Sequence, residues 1–211
     1  MTVIVRKKYQ IFVSSTYTDM LAERQAAVEA ILAAGHIPAG MELFCAGDES
    51  QLEAIKRWID DSDVYVLLLG GRYGTIESRT GRSYTEIEYD YAVSRGKPHF
   101  ALLLSEAAIQ AKVRGMGGGA ALEISAPKKL AAFRKKITRK IVRFVEDAKD
   151  VRIHLPHAIA DLRSRHSLVA RGASPGYPNG YVKYENANGQ GVNPSTGQTV
   201  PNTQSHYPMG P

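Results

Sequence analysis

Apolar positions across residues 9–104 fall into short runs separated by amphipathic segments, the texture of repeated strand–helix units. Residues 9–13 predict a strand that ends at Ser14-Ser15-Thr16. A helix is predicted over residues 19–34, with Leu21, Val28, Ile31 and Leu32 on its apolar face and Gly35 as its stop. Residues 37–41 read as a weaker strand. Ser50-Gln51-Leu52-Glu53 has the spacing of a capping box and opens a helix that buries Leu52, Ile55 and Ile59. Residues 64–69 are apolar on both faces, which predicts a central parallel strand covered by helices on each side. Ser83-Tyr84-Thr85-Glu86 is a second capping-box pattern, starting a helix that ends near Gly96, and residues 98–104 form another buried strand.

Beyond Leu104 the texture changes. Residues 105–125 contain Gly115, Gly117, Gly118 and Gly119 and read as a flexible insertion. A basic helix, a strand over residues 141–145 and a last helix over residues 156–165 follow. Residues 171–211 are rich in Gly, Pro, Asn, Ser and Thr and are expected to be disordered, or loosely hairpin-like around residues 181–184 and Asn188-Gly189. The chain thus divides into an N-terminal arm (1–8), an α/β domain (9–170) and a tail (171–211). The expected fold class is α/β: a flavodoxin-like open parallel five-stranded sheet with helices on both faces. Its ligand site is expected beyond the carboxyl ends of the strands, where the chain order switches.

Composition narrows the function classes. With 44% apolar residues in 211, one α/β domain has enough core material. Residues 64–69 and 100–104, the longest apolar runs, fall short of the ~18 residues a membrane span needs, so no membrane partner is expected. Val3-Ile4-Val5 precedes Arg6-Lys7-Lys8, the reverse of a secretory signal. Cys45 is the only cysteine, which excludes an internal disulfide framework and suits a reducing cytosol; a cytoplasmic location is the expectation. The net charge of +6 is concentrated in residues 128–143, which carry eight lysines and arginines and no acid. Leu130, Phe133, Ile137 and Ile141 make that run an amphipathic helix with a solvated basic face. No aromatic interleaving accompanies it, and nucleic acid is not an expected partner. His36, His99, His154 and His157 lack metal-ligand spacing, so no metal is expected.

Three loops converge on the predicted ligand edge. Ser14, Ser15 and Thr16 offer hydroxyls and backbone N–H groups to an anion or a sugar. In Gly70-Gly71-Arg72-Tyr73-Gly74, the glycines admit a ligand to the backbone, Arg72 is suited to a phosphate and Tyr73 to stacking on a base. The helix start at Ser83 favours a phosphate through its unpaired N–H groups. Neither a dinucleotide fingerprint nor a Walker loop occurs. On the helix itself, Glu86 is expected to close the capping box, Asp90 to face outward, and Ile87 with Tyr91 to mark the core face. That leaves Glu88 at the edge of the core, facing the crevice or, in the plainer reading, solvated. One carboxylate could then suffice to cleave NAD, because nicotinamide is a cationic leaving group that departs neutral, whereas glycosidases generally need two; the sequence permits this reading without demanding it.

The stretches Ile11-Phe12-Val13-Ser14-Ser15-Thr16-Tyr17-Thr18-Asp19-Met20, the run from Ala34-Gly35-His36 to Met41-Glu42, Gly70-Gly71-Arg72-Tyr73-Gly74, and Ser83-Tyr84-Thr85-Glu86-Ile87-Glu88 onward to Gly96-Lys97-Pro98 resemble a TIR-like family of domains of unknown function. Its members occur in bacterial proteins and at the N-termini of NTPase–repeat proteins linked to innate immunity. The resemblance covers about residues 9–165 and implies a TIR-like fold. In the wider TIR group an aromatic, a Glu four residues on and a small residue four further lie on the helix after the third strand. That Glu is essential in members that cleave NAD. Tyr84, Glu88 and Ala92 have this spacing, although Tyr84 stands where tryptophan is common, and nucleoside deoxyribosyltransferases show a similar Glu-to-Ala pattern.

By resemblance Glu88 is the catalytic residue and Glu86 is not. The nucleotide-binding set is then Ser14, Ser15, Thr16, Gly70, Gly71, Arg72, Tyr73, Ser83 and Tyr84. The expected function is hydrolysis of the N-glycosidic bond of NAD or a related nucleotide, in bacterial defence. NAD enters as substrate and no cofactor is expected. A homo-oligomer, or assembly with a regulatory protein, is the expected partnership. The alternative is a non-catalytic module that senses a nucleotide or self-assembles. A third reading makes the tail a toxin-like segment, with His166 and His206 as its acid–base pair.

Overall fold

The computed structural model describes residues 8–40, 50–165, 167–171, 181–185 and 206–208. The expectations for residues 1–7, Met41, Cys45, His166 and most of the glycine-rich tail lie outside the described residues. The chain divides into two compact units, Met1–Arg95 with His99–Pro156, and Gly96–Pro98 with His157–Pro211.

In the first unit, β1 (Gln10–Ser15), α1 (Leu21–Ala33), β2 (Ile37–Ala39), α2 (Gln51–Asp61), β3 (Val64–Leu69), α3 (Tyr84–Ser94), β4 (His99–Leu104), α4 (Glu106–Met116), α5 (Gly118–Ala121), α6 (Pro127–Ile137) and β5 (Arg143–Val145) follow in order, and α7 (Ala148–Arg165) begins in it. The five strands pair in parallel in the order β2-β1-β3-β4-β5. The chain runs outward from β1 to β2 and returns on the other side of β1 as β3. The order therefore switches between β1 and β3, and a crevice opens there at the carboxyl ends.

Every residue of β3 is buried, as its unbroken apolar run predicts. Alternate strand residues Phe12, Tyr65, Leu67, Leu69, Ala101 and Leu103 share a core with Ile55 and Ile59 of α2, Tyr89 and Ala92 of α3, and Phe133 and Ile137 of α6. The intervening residues Ile11, Val13, Val66, Leu68, Leu102 and Leu104 are buried as well, which requires cover on the opposite face.

Four expectations are corrected. The inner face of α1 consists of Ala26, Ala27, Ala30 and Ile31 with Glu23 and Arg24, while Leu21 and Leu32 are more than half exposed. Small residues let this helix lie close to the sheet, and that outweighs the apolar count of the other face. Residues 105–125 are not a flexible insertion: Ser105 caps α4 by accepting from the Ala108 N–H at 3.1 Å, Gly117 breaks the helix at φ +84°, and α5 follows. The apolar stripe of the basic helix ends at Ile137, and Ile141 is 94% exposed. The last helix begins eight residues earlier than expected and carries Pro156 inside it. In the second unit, β6 (Ser167–Arg171), β7 (Tyr181–Glu185) and β8 (His206–Pro208) form an antiparallel sheet.

Candidate active site at the carboxyl edge of the sheet

A cleft of about 300 Å³ lies at the switch between β1 and β3. The loop after β1 supplies Ser15, Thr16, Tyr17, Thr18 and Asp19, and the loop after β3 supplies Arg72, Gly74 and Thr75. Helix α3 contributes Tyr84, Thr85 and Glu88, and the first residue of α2, Gln51, completes the wall.

Glu88 is 2% exposed. It stands one turn beyond the start of α3, on the helix face that meets β1, and Ser14 at the end of β1 donates its hydroxyl to Oε2. The second oxygen, Oε1, is buried and has no hydrogen-bond partner. Burial pushes the Glu88 carboxyl up to about 7, and this outweighs the Ser14 hydrogen bond and the positive charge of Arg24, which both favour ionisation. Arg24 is itself buried and donates to Ser15 Oγ at 2.8 Å and to the Val13 carbonyl at 3.3 Å, fixing the end of β1. The Tyr65 phenol on β3 is likewise pushed up, first by burial and then by the Glu88 charge.

Ser15, Thr16, Arg72, Tyr84 and Glu88 meet around one cavity, with Ser14 behind Glu88. Arg72 is half-buried, and its charge acts on the carboxylates of Asp19 and Glu123. Gly70, Gly71, Tyr73 and Ser83 do not line the cleft. Gly71 is roofed by α5, and a Cβ there would stand 2.2 Å from the Ala121 carbonyl oxygen. Tyr73 does not face a base: its ring packs edge-on against Phe133 and its hydroxyl donates to Glu86. Ser83 is spent on its own helix, accepting from the Glu86 N–H at 3.2 Å. The Glu86 carboxylate does not complete the capping box, because Tyr73 and Lys136 hold it. The capping box at Ser50 is complete. Glu88 lies fully within the buried face rather than at its edge.

Among the cleft residues that sequence reasoning missed, Asp19 carries the most chemistry. It is 1% exposed, lines the cleft, and accepts from Thr16 Oγ1 through Oδ1. A hydroxyl three residues before an acid in a strand-end loop was its available signal, a short-range turn pattern. Gln51 had none, since only the fold brings α2 to this edge. Among the described residues no group of three or more His, Cys, Asp or Glu side chains is arranged to hold a metal ion, and no helix is long and apolar enough to cross a membrane.

The family model for a domain of unknown function (DUF4062) matches residues 10–160, and the chain belongs to that family. Among solved structures the chain is similar to a diflavin flavoprotein A3 from Nostoc sp., at 12% identity over 74% of this chain and 92% of that one, with a TM-score of 0.37. It is also similar to the TIR domains of the activated Roq1 resistosome directly recognising the pathogen effector XopQ, at 12% identity over 74% of this chain and 83% of that one, with a TM-score of 0.41. No curated protein sequence matches it.

Proposed function

We propose that this member of the DUF4062 family hydrolyses the N-glycosidic bond of NAD or a related nucleotide, with Glu88 as the carboxylate at the ribose. The observation that carries the reading is Glu88 itself, buried in the switch-point cleft with one oxygen held by Ser14 and the other unpartnered. Its spacing with Tyr84 and Ala92, which resembles that of NAD-cleaving TIR domains, supports the same assignment.

In the reaction, the C1′–N bond breaks and its electron pair returns to the pyridinium ring, so nicotinamide leaves neutral. The ionised Glu88 carboxylate stabilises the positive charge that develops on the sugar, where a low-dielectric surrounding strengthens the attraction. Water then adds to C1′ and gives up a proton. In this reading Arg72 takes a phosphate and Tyr84 contacts a ring, while Ser15, bonded to Arg24, and Thr16, bonded to Asp19, form the wall beside the sugar.

Incubation of the protein with NAD, alone and with crowding agents that force assembly, tests the reading. Nicotinamide release is expected, and Glu88→Gln is expected to lower kcat by about 10²–10³-fold. Because the ionised form acts, kcat/KM should rise with pH and level off above about 7, and the variant should lose that rise. Release that is indifferent to Glu88→Gln removes this residue from the role. Nucleotide binding without any turnover leaves the alternative, a sensing or self-assembling module in the same cleft.

A further inference from the structure

Asp19 shares with Glu88 a feature that the hydrolysis of NAD does not use. Both carboxylates are almost wholly buried, both line the same cleft, and each keeps one oxygen without a hydrogen-bond partner, Oε1 of Glu88 and Oδ2 of Asp19. Buried polar atoms are nearly always satisfied, and two orphaned carboxylate oxygens in one cleft point to a ligand that donates to both, or to a proton carried by one of them. A Cβ at residue 70 would stand 2.5 Å from Asp19 Oδ2, so glycine at the end of β3 makes the room this oxygen occupies.

The charged groups around Asp19 are Arg72 from the loop after β3 and Lys112 from α4, and Lys112 is engaged at 2.9 Å by Glu23 of α1. Burial raises the Asp19 carboxyl, and the Thr16 hydrogen bond and these two cations only partly oppose it. An aspartic acid in that setting keeps its proton to higher pH than an exposed one and is able to donate it.

Leaving-group chemistry gives this proton a use. Nicotinamide departs from NAD without an acid, since it begins as a cation. A purine on ribose is neutral, and its departure would leave an anion unless a ring nitrogen is protonated as the bond breaks. The cleft, at about 300 Å³, is at the small end for ligand sites, a size suited to one nucleoside unit, and Arg72 is available for a single phosphate.

We propose that Asp19 is the general acid of this cleft, which extends its substrates to nucleoside monophosphates whose neutral base must be protonated to leave; this rests on the hydrolytic reading above. The C1′–N9 bond breaks with its electron pair going to the purine, and the Asp19 proton goes to a ring nitrogen, so the base leaves neutral. Water adds to C1′ and its proton passes to Glu88. Exchange with solvent resets both acids.

The experiment compares adenine release from adenosine 5′-monophosphate with nicotinamide release from NAD, in wild type, Asp19→Asn and Glu88→Gln. Wild type is expected to act on both, and Glu88→Gln to depress both. Asp19→Asn is expected to depress adenine release about 100-fold more than nicotinamide release. In wild type, the ratio of adenine release to nicotinamide release should also fall as pH rises and Asp19 ionises, a measurement that needs no variant to fold. If NAD is cleaved with Glu88 dependence while adenosine 5′-monophosphate is untouched, or if Asp19→Asn lowers both reactions equally, the general acid is refuted and the NAD reading stands. If neither substrate is cleaved, or Glu88→Gln changes nothing, the hydrolytic reading fails and takes this proposal with it.

Discussion

Glu88 ionises readily in the unfolded chain and resists ionising in the folded one. Its ordinary value of 4.5 is raised to about 7 by burial, so between these limits the folded state holds a proton that the unfolded state has released. Stability from this residue therefore falls as pH rises through 4.5 to 7, reaching a loss of roughly 3 kcal/mol above that window. Glu88→Gln keeps the hydrogen bond to Ser14 and removes the charge. The Tm of the variant should match that of wild type near pH 4.5 and exceed it increasingly towards pH 8. Parallel Tm curves across that range would falsify the burial argument. Glu77 shows the opposite sign. The backbone N–H groups of Arg79 and Thr80 donate to its carboxylate at 3.0 and 2.9 Å and hold it down at about 2, so the turn it braces is secure above pH 4.5 and loosens only as pH falls towards 2.

At the scale of elements, the strand-end loops are held from outside the sheet. Arg134 of α6 reaches in to donate to the carbonyls of Gly70 and Leu104, each at 3.0 Å, and so ties the ends of β3 and β4 together. Lys136 pairs with Glu86 and Asp90 of α3, and Lys129 donates to the Gly81 carbonyl at 2.6 Å. Part of the basic run thus serves the fold, which its charge pattern alone did not distinguish from a solvated face. The glycines of residues 70–119 differ in the same hidden way. Gly71 faces the Ala121 backbone at a distance no Cβ tolerates, and Gly115 in α4 has open space around it. Gly71→Ala is expected to destabilise by about 1–3 kcal/mol. Gly115→Ala should stabilise by about 0.4–1 kcal/mol, because the unfolded chain loses freedom. Urea denaturation of the two variants measures both, and equal effects would dissolve the distinction between a packing glycine and a free one.

At the scale of the whole chain, every residue lining the cleft lies between Ser15 and Glu88, and the paired parallel strands end at Val145. Removing residues 166–211 is expected to leave the circular dichroism of the α/β unit and its nicotinamide release at the level of the full chain. A folded truncation that has lost turnover would bring the tail into the chemistry and revive its toxin-like reading.

What was legible in advance follows from the range of each interaction. Alternating apolar runs, the Ser50 and Ser83 caps and the unbroken Val64–Leu69 strand are set by neighbours within a few residues, and they sufficed for the sheet, whereas Glu88 was singled out by the resemblance of its spacing with Tyr84 and Ala92. The alanine face of α1, the roof over Gly71 and the packing of Tyr73 depend on elements distant in the chain, and periodicity misjudged all three.

The sequence by itself determined the alternation of strands and helices up to Leu104, the parallel sheet and the spacing that aligns Tyr84, Glu88 and Ala92 on one helix. Only the tertiary structure decided that Glu88 is desolvated beside Ser14, and that Asp19 joins it over a glycine 51 residues away in the chain. The physical reason is that a carboxylate's environment is made by everything that excludes water from it. Here those groups come from β1, β3, α1 and α3, and no local pattern encodes their meeting.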